Sequence, residues 1–490
     1  SDSAVITFGA DGDTTLTHTD GSGLTLNSTN KIMFNDASQF IQGSSATVLS
    51  LGATDEIDFT ATAMDFNGTV TISGDTTLED GADLITASAG TSNTRIGVNA
   101  GNSITSGGNY NVVVGDEAGT ALTTGDANVA IGFEALSTED EHGNNVAVGY
   151  QAYKVANAGG TGNNVGVGYQ AALASTTATQ NTLVGSLAGV ALTEGSQNIA
   201  IGYAALDADT LGGRSVAIGR LALSAQNQTT SVSTYNVAIG YNVGDSITTG
   251  VSNVLIGGLT GDSLTDADFN VAVGRSALGA DTLGSKSTAL GYGTLQTQNF
   301  TTATDSFNTA VGHAAGLLVS TATHNTLIGG QAGDALTTGS SNVAVGYNAL
   351  STDDVGQHNV AIGRDALASQ NIATAANTYN TAVGSTAGTA ITTGTVNTIV
   401  GGLAGDALTS GNSNVAVGYQ ALSADTLGDR NVAIGLQALN VQNHTTDTDV
   451  YNTAVGYRAG ALVTTGINNV LIGGLAGDSL TDSDNNTVVG

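Results

Sequence analysis

The sequence predicts an all-β chain: a β-solenoid of short stacked coils preceded by a β-rich segment of a different kind. Three observations carry this reading. A five-residue word, Asn-[Val/Thr]-[Ala/Leu]-[Ile/Val]-Gly, recurs from residue 93 to the end of the 490-residue chain, as in Asn128-Val129-Ala130-Ile131-Gly132 and Asn342-Val343-Ala344-Val345-Gly346. Its 23 copies follow a spacing of 17, 17, 17 and 21 from Gly168 onward, so that Gly168, Gly240, Gly312, Gly384 and Gly456 each stand 72 residues from the next. The composition, with 69 Gly, no Pro and 4% aromatic residues, suits thin coils better than a thick globular core.

The organisation follows in chain order. Residues 1–75 lack the word but carry short alternating runs: Val5-Ile6-Thr7-Phe8, Thr15-Leu16-Thr17, Leu24-Thr25-Leu26, Lys31-Ile32-Met33-Phe34, Val48-Leu49-Ser50-Leu51, Ile57-Asp58-Phe59-Thr60 and Val70-Thr71-Ile72. Gly, Asp and Ser turns separate them, which reads as all-β. The segment is thin for an isolated sandwich, and three chains wound together would bury its narrow faces better. Residues 76–92 read as a connector, and 93–490 as the solenoid.

Within a coil, Val-Ala-Ile is a β-favouring alternating triplet, and Gly closes it where the chain turns or meets a neighbour. A second apolar stretch, such as Ala135-Leu136 or Ala121-Leu122-Thr123, is expected to form a second strand. A polar turn such as Thr124-Gly125-Asp126-Ala127 closes the coil. Coils stacked at the strand spacing of about 4.8 Å make a rod of roughly 105 Å over 22 intervals. The absence of Pro fits, because nearly every strand is central and each N–H is needed for the ladder. The columns Asn128, Asn236, Asn308, Asn380, Asn452 and Gly132, Gly240, Gly312, Gly384, Gly456 are read as structural: Asn tolerates turns, and stacked amides can bond from coil to coil. Ser215 and Ser287 replace the opening Asn in two copies.

One coil type in four reads Leu-Ile-Gly-Gly or a close variant, as at Leu255-Ile256-Gly257-Gly258. Most others have Ala in the first slot and a larger residue, often Tyr or Arg, after the Gly. This is read as volume compensation in one packed layer, with the Ala/Leu column facing another chain and Val/Ile forming a thin core. The 72-residue pattern would keep near-identical coils in register. The 21-residue coils place their extra residues in loops about 19 Å apart. Their candidate receptor-facing residues are Asn227, Thr229, Asn299, Thr301, Asn371, Asn443 and Thr445. Asn227, Asn299 and Asn443 are also glycosylation sequons. Tyr235, Phe307, Tyr379 and Tyr451 are expected to pack under these loops.

Several classes are excluded or disfavoured. With no Cys there is no disulfide, thiol nucleophile or Cys-ligated metal. No apolar run reaches the length of a membrane span, so membrane insertion is not expected. The net charge of −31 repels phosphate backbones, so nucleic acid is not an expected partner. The carboxylates, Glu139-Asp140-Glu141 and Asp353-Asp354 among them, read as a solvated acidic face rather than a glycosidase pair. His18, His142, His313, His324, His358 and His444 show no ligand spacing. Gly257-Gly258-Leu259-Thr260-Gly261-Asp262 and the copies placing Asp334, Asp406 and Asp478 are too far apart to share calcium in tandem. No catalytic residue, metal ligand or cofactor is expected, and the chain is not read as an enzyme. It opens on Ser1, so either a leader has been removed or the sequence is part of a longer chain.

The recurring Asn-x-Val-Ala-Ile-Gly word, which covers residues 93–490, resembles the head repeat of trimeric autotransporter adhesins of the YadA type. That resemblance implies left-handed parallel β-rolls packed side by side as a homotrimer, although 17-residue coils are longer than the family's usual ones. The first segment, with Ile6-Thr7-Phe8-Gly9-Ala10-Asp11-Gly12 and Ala61-Thr62-Ala63-Met64-Asp65-Phe66-Asn67-Gly68, looks like structural proteins of marine bacteriophage tail fibres. Together they imply a structural homotrimeric fibre, a tail fibre of the extracellular virion. Its partners would be other tail proteins and a host cell-surface glycan or protein. The alternative is an adhesin on the bacterial cell surface or an extracellular filament subunit. A glycan-cleaving tailspike and an ice-binding solenoid rank below these.

Overall fold

The computed structural model describes residues 5–8, 14–19, 23–26, 31–33, 40–45, 48–53, 57, 70–71, 73, 89–157 and 161–490. The chain divides into two compact units, Ser1–Asp83 and Leu84–Gly490. No helix occurs among the described residues.

In the first unit, Val5–Phe8, Thr14–Thr19 and Gly23–Leu26 form an antiparallel meander, and Lys31–Met33, Phe40–Ser45 and Val48–Gly52 form a second. Alternation sets the register: Ile6 opposes Leu16, which opposes Leu26, and Ile32 opposes Ile41, which opposes Leu51. One apolar row per sheet is the period-2 pattern at work. Ile6, Ile32, Ile41 and Leu51 remain exposed in the single chain. The strand Phe40–Ser45 is not among the predicted runs, because Gln42-Gly43-Ser44-Ser45 breaks the alternation and a bulge at Gly43/Ser45 adjusts the register. Ile57, Val70 and Thr71 lie in no strand. Residues 34, 58–60, 72 and 76–88 of the predicted runs and connector fall outside the described residues.

The second unit is a parallel β-solenoid. Each repeat word supplies one three-residue strand, and 23 strands from Thr94–Ile96 to Thr487–Val489 pair in sequence order in one parallel ladder. The register never slips, as in Val343↔Val360 and Val345↔Ile362. The coil has one such strand where two were expected. The stretch Glu134-Ala135-Leu136 is turn, with Glu134 and Leu136 both at φ 52°. Such φ values are unfavourable for non-glycine residues. Hydrogen bonds between coils offset the cost: Glu134 N–H donates to Asp116 O (3.1 Å) and Leu136 N–H to Ala152 O (3.0 Å). The 21-residue coils do add a two-residue second strand, as in Gly212–Gly213 paired with Val232–Ser233.

The core corrects the sequence reading of which column faces inward. The middle residue of each strand points into the coil: Ala130, Ala147, Leu183, Ala344 and Leu471 are buried inside the single chain. The Ala/Leu column therefore cannot face another chain. The flanking Val and Ile residues point outward, because alternate residues of a strand point to opposite faces. Volume compensation occurs, but with a different partner. Where the inward residue is Leu or Ile, the residue six positions later is Gly, as in Leu327/Gly333 and Ile399/Gly405. A Cβ on Gly333 would lie 2.7 Å from Leu327 Cδ2 and 2.9 Å from Leu336 Cδ1. The slot after the closing Gly belongs to the outer surface.

The two predicted columns perform definite tasks. A typical buried Asn of the column accepts through Oδ1 from the backbone N–H of the next Asn and donates through Nδ2 to a turn carbonyl. Asn308 does both, toward Asn325 N (2.9 Å) and Ala322 O (2.7 Å). Asn128 donates to His142 O, Asn236 to Gly250 O, Asn380 to Gly394 O and Asn452 to Gly466 O. Every closing Gly, among them Gly132, Gly240, Gly312, Gly384 and Gly456, has φ between +124° and +143°. These glycines also stack so closely that, along the ladder, a Cβ on one would strike the backbone carbonyl of the next.

Candidate recognition surface

The seven residues singled out in the long coils, Asn227, Thr229, Asn299, Thr301, Asn371, Asn443 and Thr445, are all exposed. The asparagines are nevertheless tied into the stack. Asn227, Asn299 and Asn443 accept through Oδ1 from Thr210, Thr282 and Thr426, and Asn371 N–H donates to Thr392 O. The freely presented part of each loop is therefore the segment after the Asn, such as Thr229-Thr230-Ser231.

Tyr235, Phe307, Tyr379 and Tyr451 do not pack beneath the loops. Each has φ between 49° and 56°, directly before a buried residue of the Asn column, which turns the ring outward, and each is about half exposed. The ring meets a basic residue one coil earlier: Arg214 over Tyr235 (5.6 Å to the centroid), Lys286 over Phe307 (5.3 Å), His358 against Tyr379 (5.1 Å) and Arg430 over Tyr451 (5.6 Å). Cation–π attraction accounts for the Arg and Lys pairings at a partly exposed site, and the His358–Tyr379 pair is a tilted ring–ring contact. On the other flank of the ladder, the slot after the closing Gly makes a second outward column, with Phe133, Tyr150 and Tyr169 stacked at 5.4 Å. Between the two columns lies the outward sheet face, where Ile199, Ile201, Ile362 and Ile472 are each more than a third exposed.

The acidic residues are not simply a solvated face. Glu139, Asp209, Asp281, Asp353 and Asp425 are fully buried. In each 72-residue repeat the Asp accepts from a buried Gln 17 residues on: Gln226, Gln298, Gln370 and Gln442, at 2.5–2.6 Å. The Gln in turn accepts from the column residues Asn236, Asn308, Asn380 and Asn452. Sequence reasoning missed this network, though the strict 72-residue recurrence of Asp and Gln was a signal for it. Each of the four buried Asp residues is held by its Gln and is closed to solvent.

The position two residues after the buried Gln differs in every repeat, and in the fourth it is an ionisable His. His444 is buried where Gln228, Phe300 and Ile372 stand, and its Nδ1 lies 3.7 Å from Asp425 Oδ2. Burial alone would push the Asp425 carboxyl up, but the bonds from His444 and Gln442 and the charge of His444 hold it below its ordinary 3.8. Burial likewise opposes the charged His444, and Asp425 overcomes it, raising His444 above 6.5. In the third repeat, where Ile372 replaces the imidazole, burial raises Asp353. The Asp425 contribution is lost as pH falls through its lowered value, and the His444 contribution is lost as pH rises through its raised value. The pair therefore stabilises most between about pH 4 and 6.5. His444→Gln is expected to lower the melting temperature more at pH 5.5 than at pH 8.5, read from paired thermal melts. An equal drop at both values would remove the pair from the account.

One group contradicts the expectation that no histidine has ligand spacing. Glu139, Asp140 and His142 bring one ligand atom each within 4.8 Å of one another, with His142 Nδ1 2.7 Å from Glu139 Oε1. These are the described residues that could hold a metal ion. Glu139 occupies the position of the four buried Asp residues, and Ala156 stands where the others have Gln. The buried Glu139 Oε2 has no hydrogen-bond partner. Asp262, Asp334 and Asp406 of the calcium-like stretches are raised, chiefly by partial burial. They recur once per four-coil unit, so no two of them lie in adjacent coils.

Comparison with protein-family models, with curated proteins and with solved structures finds no match to this chain.

Proposed function

We propose that this chain forms a homotrimeric fibre, a bacteriophage tail fibre that recognises a host surface. The observation that supports it best is the outward sheet face. Val, Ile and Thr residues from 23 strands make one largely apolar strip along the solenoid, flanked by outward slots in which aromatic rings such as Tyr150 and Tyr235 recur and set on a chain of net charge −31. Contiguous apolar surfaces of this kind mark association sites. A second and third copy of the same face supply a partner of matching length and period, since all copies share the coil spacing. In this arrangement the strip faces the trimer axis, a role the sequence reading gave to the Ala/Leu column. The long-coil loops, set at every fourth coil, then remain outside and present polar groups to a host glycan or protein. The acidic surface keeps such particles soluble and apart.

Light scattering tests the assembly. The expected native mass is three times the 48.2 kDa of one chain. Ile201→Glu with Ile362→Glu places charges on the exposed strip without entering the core. This pair is expected to shift the mass to that of a single chain with the β-sheet circular dichroism retained. A wild-type mass equal to one chain, or a variant that stays trimeric, would remove the strip as the interface.

A further inference from the structure

The four long coils share one plan, and the first and third lack its acidic partner. The basic residue before each repeat's second-coil strand faces the residue 19 positions on. In the second repeat Lys286 meets Asp305, with Nζ 2.5 Å from Oδ2. In the fourth, Arg430 pairs with Asp449. The third carries His358 and Asn377. In the first repeat Arg214 faces Ser233, which accepts a hydrogen bond but brings no negative charge. Arg214 thus forms no ion pair among the described residues, on a chain with 10 basic and 41 acidic residues.

The guanidinium is also held in place. Its Nε donates to Gln197 Oε1 at 2.8 Å, and Gln197 is itself fixed by donating to Gln180 Oε1 at 3.0 Å. Nη1 donates to Ser233 and, at 3.1 Å, to the Tyr235 hydroxyl, and the group lies over the Tyr235 ring. Nη2 has no partner among the described residues. A pocket of about 190 Å³ opens beside it, with Glu194, Ser196, Gln197, Arg214, Ser231 and Ser233 in its wall. It is smaller than the roughly 300–1,000 Å³ of drug-sized pockets, which suits a single ring.

We propose that this pocket binds an acidic monosaccharide unit of a surface glycan, its carboxylate on Arg214 and its hydroxyls on Glu194, Ser196 and Ser231. With Nε and Nη1 committed to Gln197, Ser233 and Tyr235, Nη2 is the group left to donate a charge-assisted hydrogen bond to the carboxylate. Glu194 accepts from a sugar hydroxyl and disfavours a bare anion, as does the net charge of the chain. The inference rests on the reading of the chain as a recognition fibre and names the ligand class of its first loop.

The test titrates the full chain with glucuronic acid and N-acetylneuraminic acid, and with glucose and inorganic phosphate as controls, followed by saturation-transfer NMR. One or both acidic sugars are expected to bind, and neither control. Arg214→Ala and Ser233→Asp are each expected to weaken binding at least about tenfold. The second variant installs the carboxylate that Lys286 and Arg430 already face, so it neutralises the pocket while copying an arrangement the fold accommodates. No acidic sugar bound, equal binding by both variants, or phosphate bound as tightly as sugar would overturn the proposal. A glycan array separates the two readings. Array binding that both variants leave unchanged ends the pocket assignment and keeps the recognition fibre, whereas no glycan bound in either assay counts against both.

Discussion

Gly384→Ala is expected to break the solenoid locally at one coil. Gly384 has φ +142°, a region that non-glycine residues adopt at a cost of about 1–3 kcal/mol. The added methyl would also lie 2.5 Å from Gly401 O and 2.6 Å from its carbonyl carbon. Those atoms are backbone in the next coil, so relief requires two coils to move apart. The strand pairs Thr381↔Thr398 and Val383↔Val400 lie directly before this contact. Because a solenoid's stability is a sum of coil and neighbour terms, the damage should concentrate at one interface. Hydrogen exchange should show lost protection around residues 381–400, with coils beyond residue 440 nearly unchanged. An equivalent substitution at Gly474, where a Cβ meets nothing within 4 Å, should be almost silent. Equal protection in wild type and Gly384→Ala would refute the close-stacking account.

Asn308→Ala is expected to cost the chain as much or more. The side chain is fully buried, and its loss strands Asn325 N–H, Ala322 O and Gln298 Oε1. A buried polar group left unpaired costs about 1–3 kcal/mol, so with three such groups the variant should lose about 3 kcal/mol or more. Asn308→Asp keeps the acceptor for Asn325 N–H but loses both donors and buries a charge. It should be as unstable as Ala at pH 7 and recover in part on acidification, where the protonated carboxyl can donate again. Denaturant melts at pH 7 and pH 4 check both variants. A Gln298→Leu variant combined with Asn308→Ala should be less damaging than the sum of the two, because they share a hydrogen bond.

Much of this was legible along the chain. The word Asn-x-x-x-Gly marks a strand and its exit, its spacing is the coil length, and the 72-residue period marks the four-coil unit. The first-unit strands at Val5–Phe8 and Val48–Gly52 were visible in their alternation. The candidate surface was less legible. The exposure of Asn227 and Thr229 followed from loop length, but the outward turn of Tyr235 depends on its positive φ. The ion pairs, and the missing acid opposite Arg214, depend on which residues lie one coil apart, at a separation of 19 in sequence.

Short-range rules along the chain dictate the architecture: parallel coils, their number, their in-phase register, and the need for Gly and Asn at fixed places. A word repeated 23 times at nearly constant spacing lets each strand align in phase with the next. Which face of each strand becomes core was settled only by packing in three dimensions. A three-residue triplet with Val, Ala and Ile is apolar on both faces, so hydrophobicity cannot choose between them. The choice is made by volume: the narrow coil interior accepts Ala344 with Leu350, or Leu327 with Gly333, and leaves the flanking residues of each triplet outside. The burial of Asp353 and Gln370 likewise needed the fold, because a carboxylate reads as surface until a donor is brought to it from the next coil.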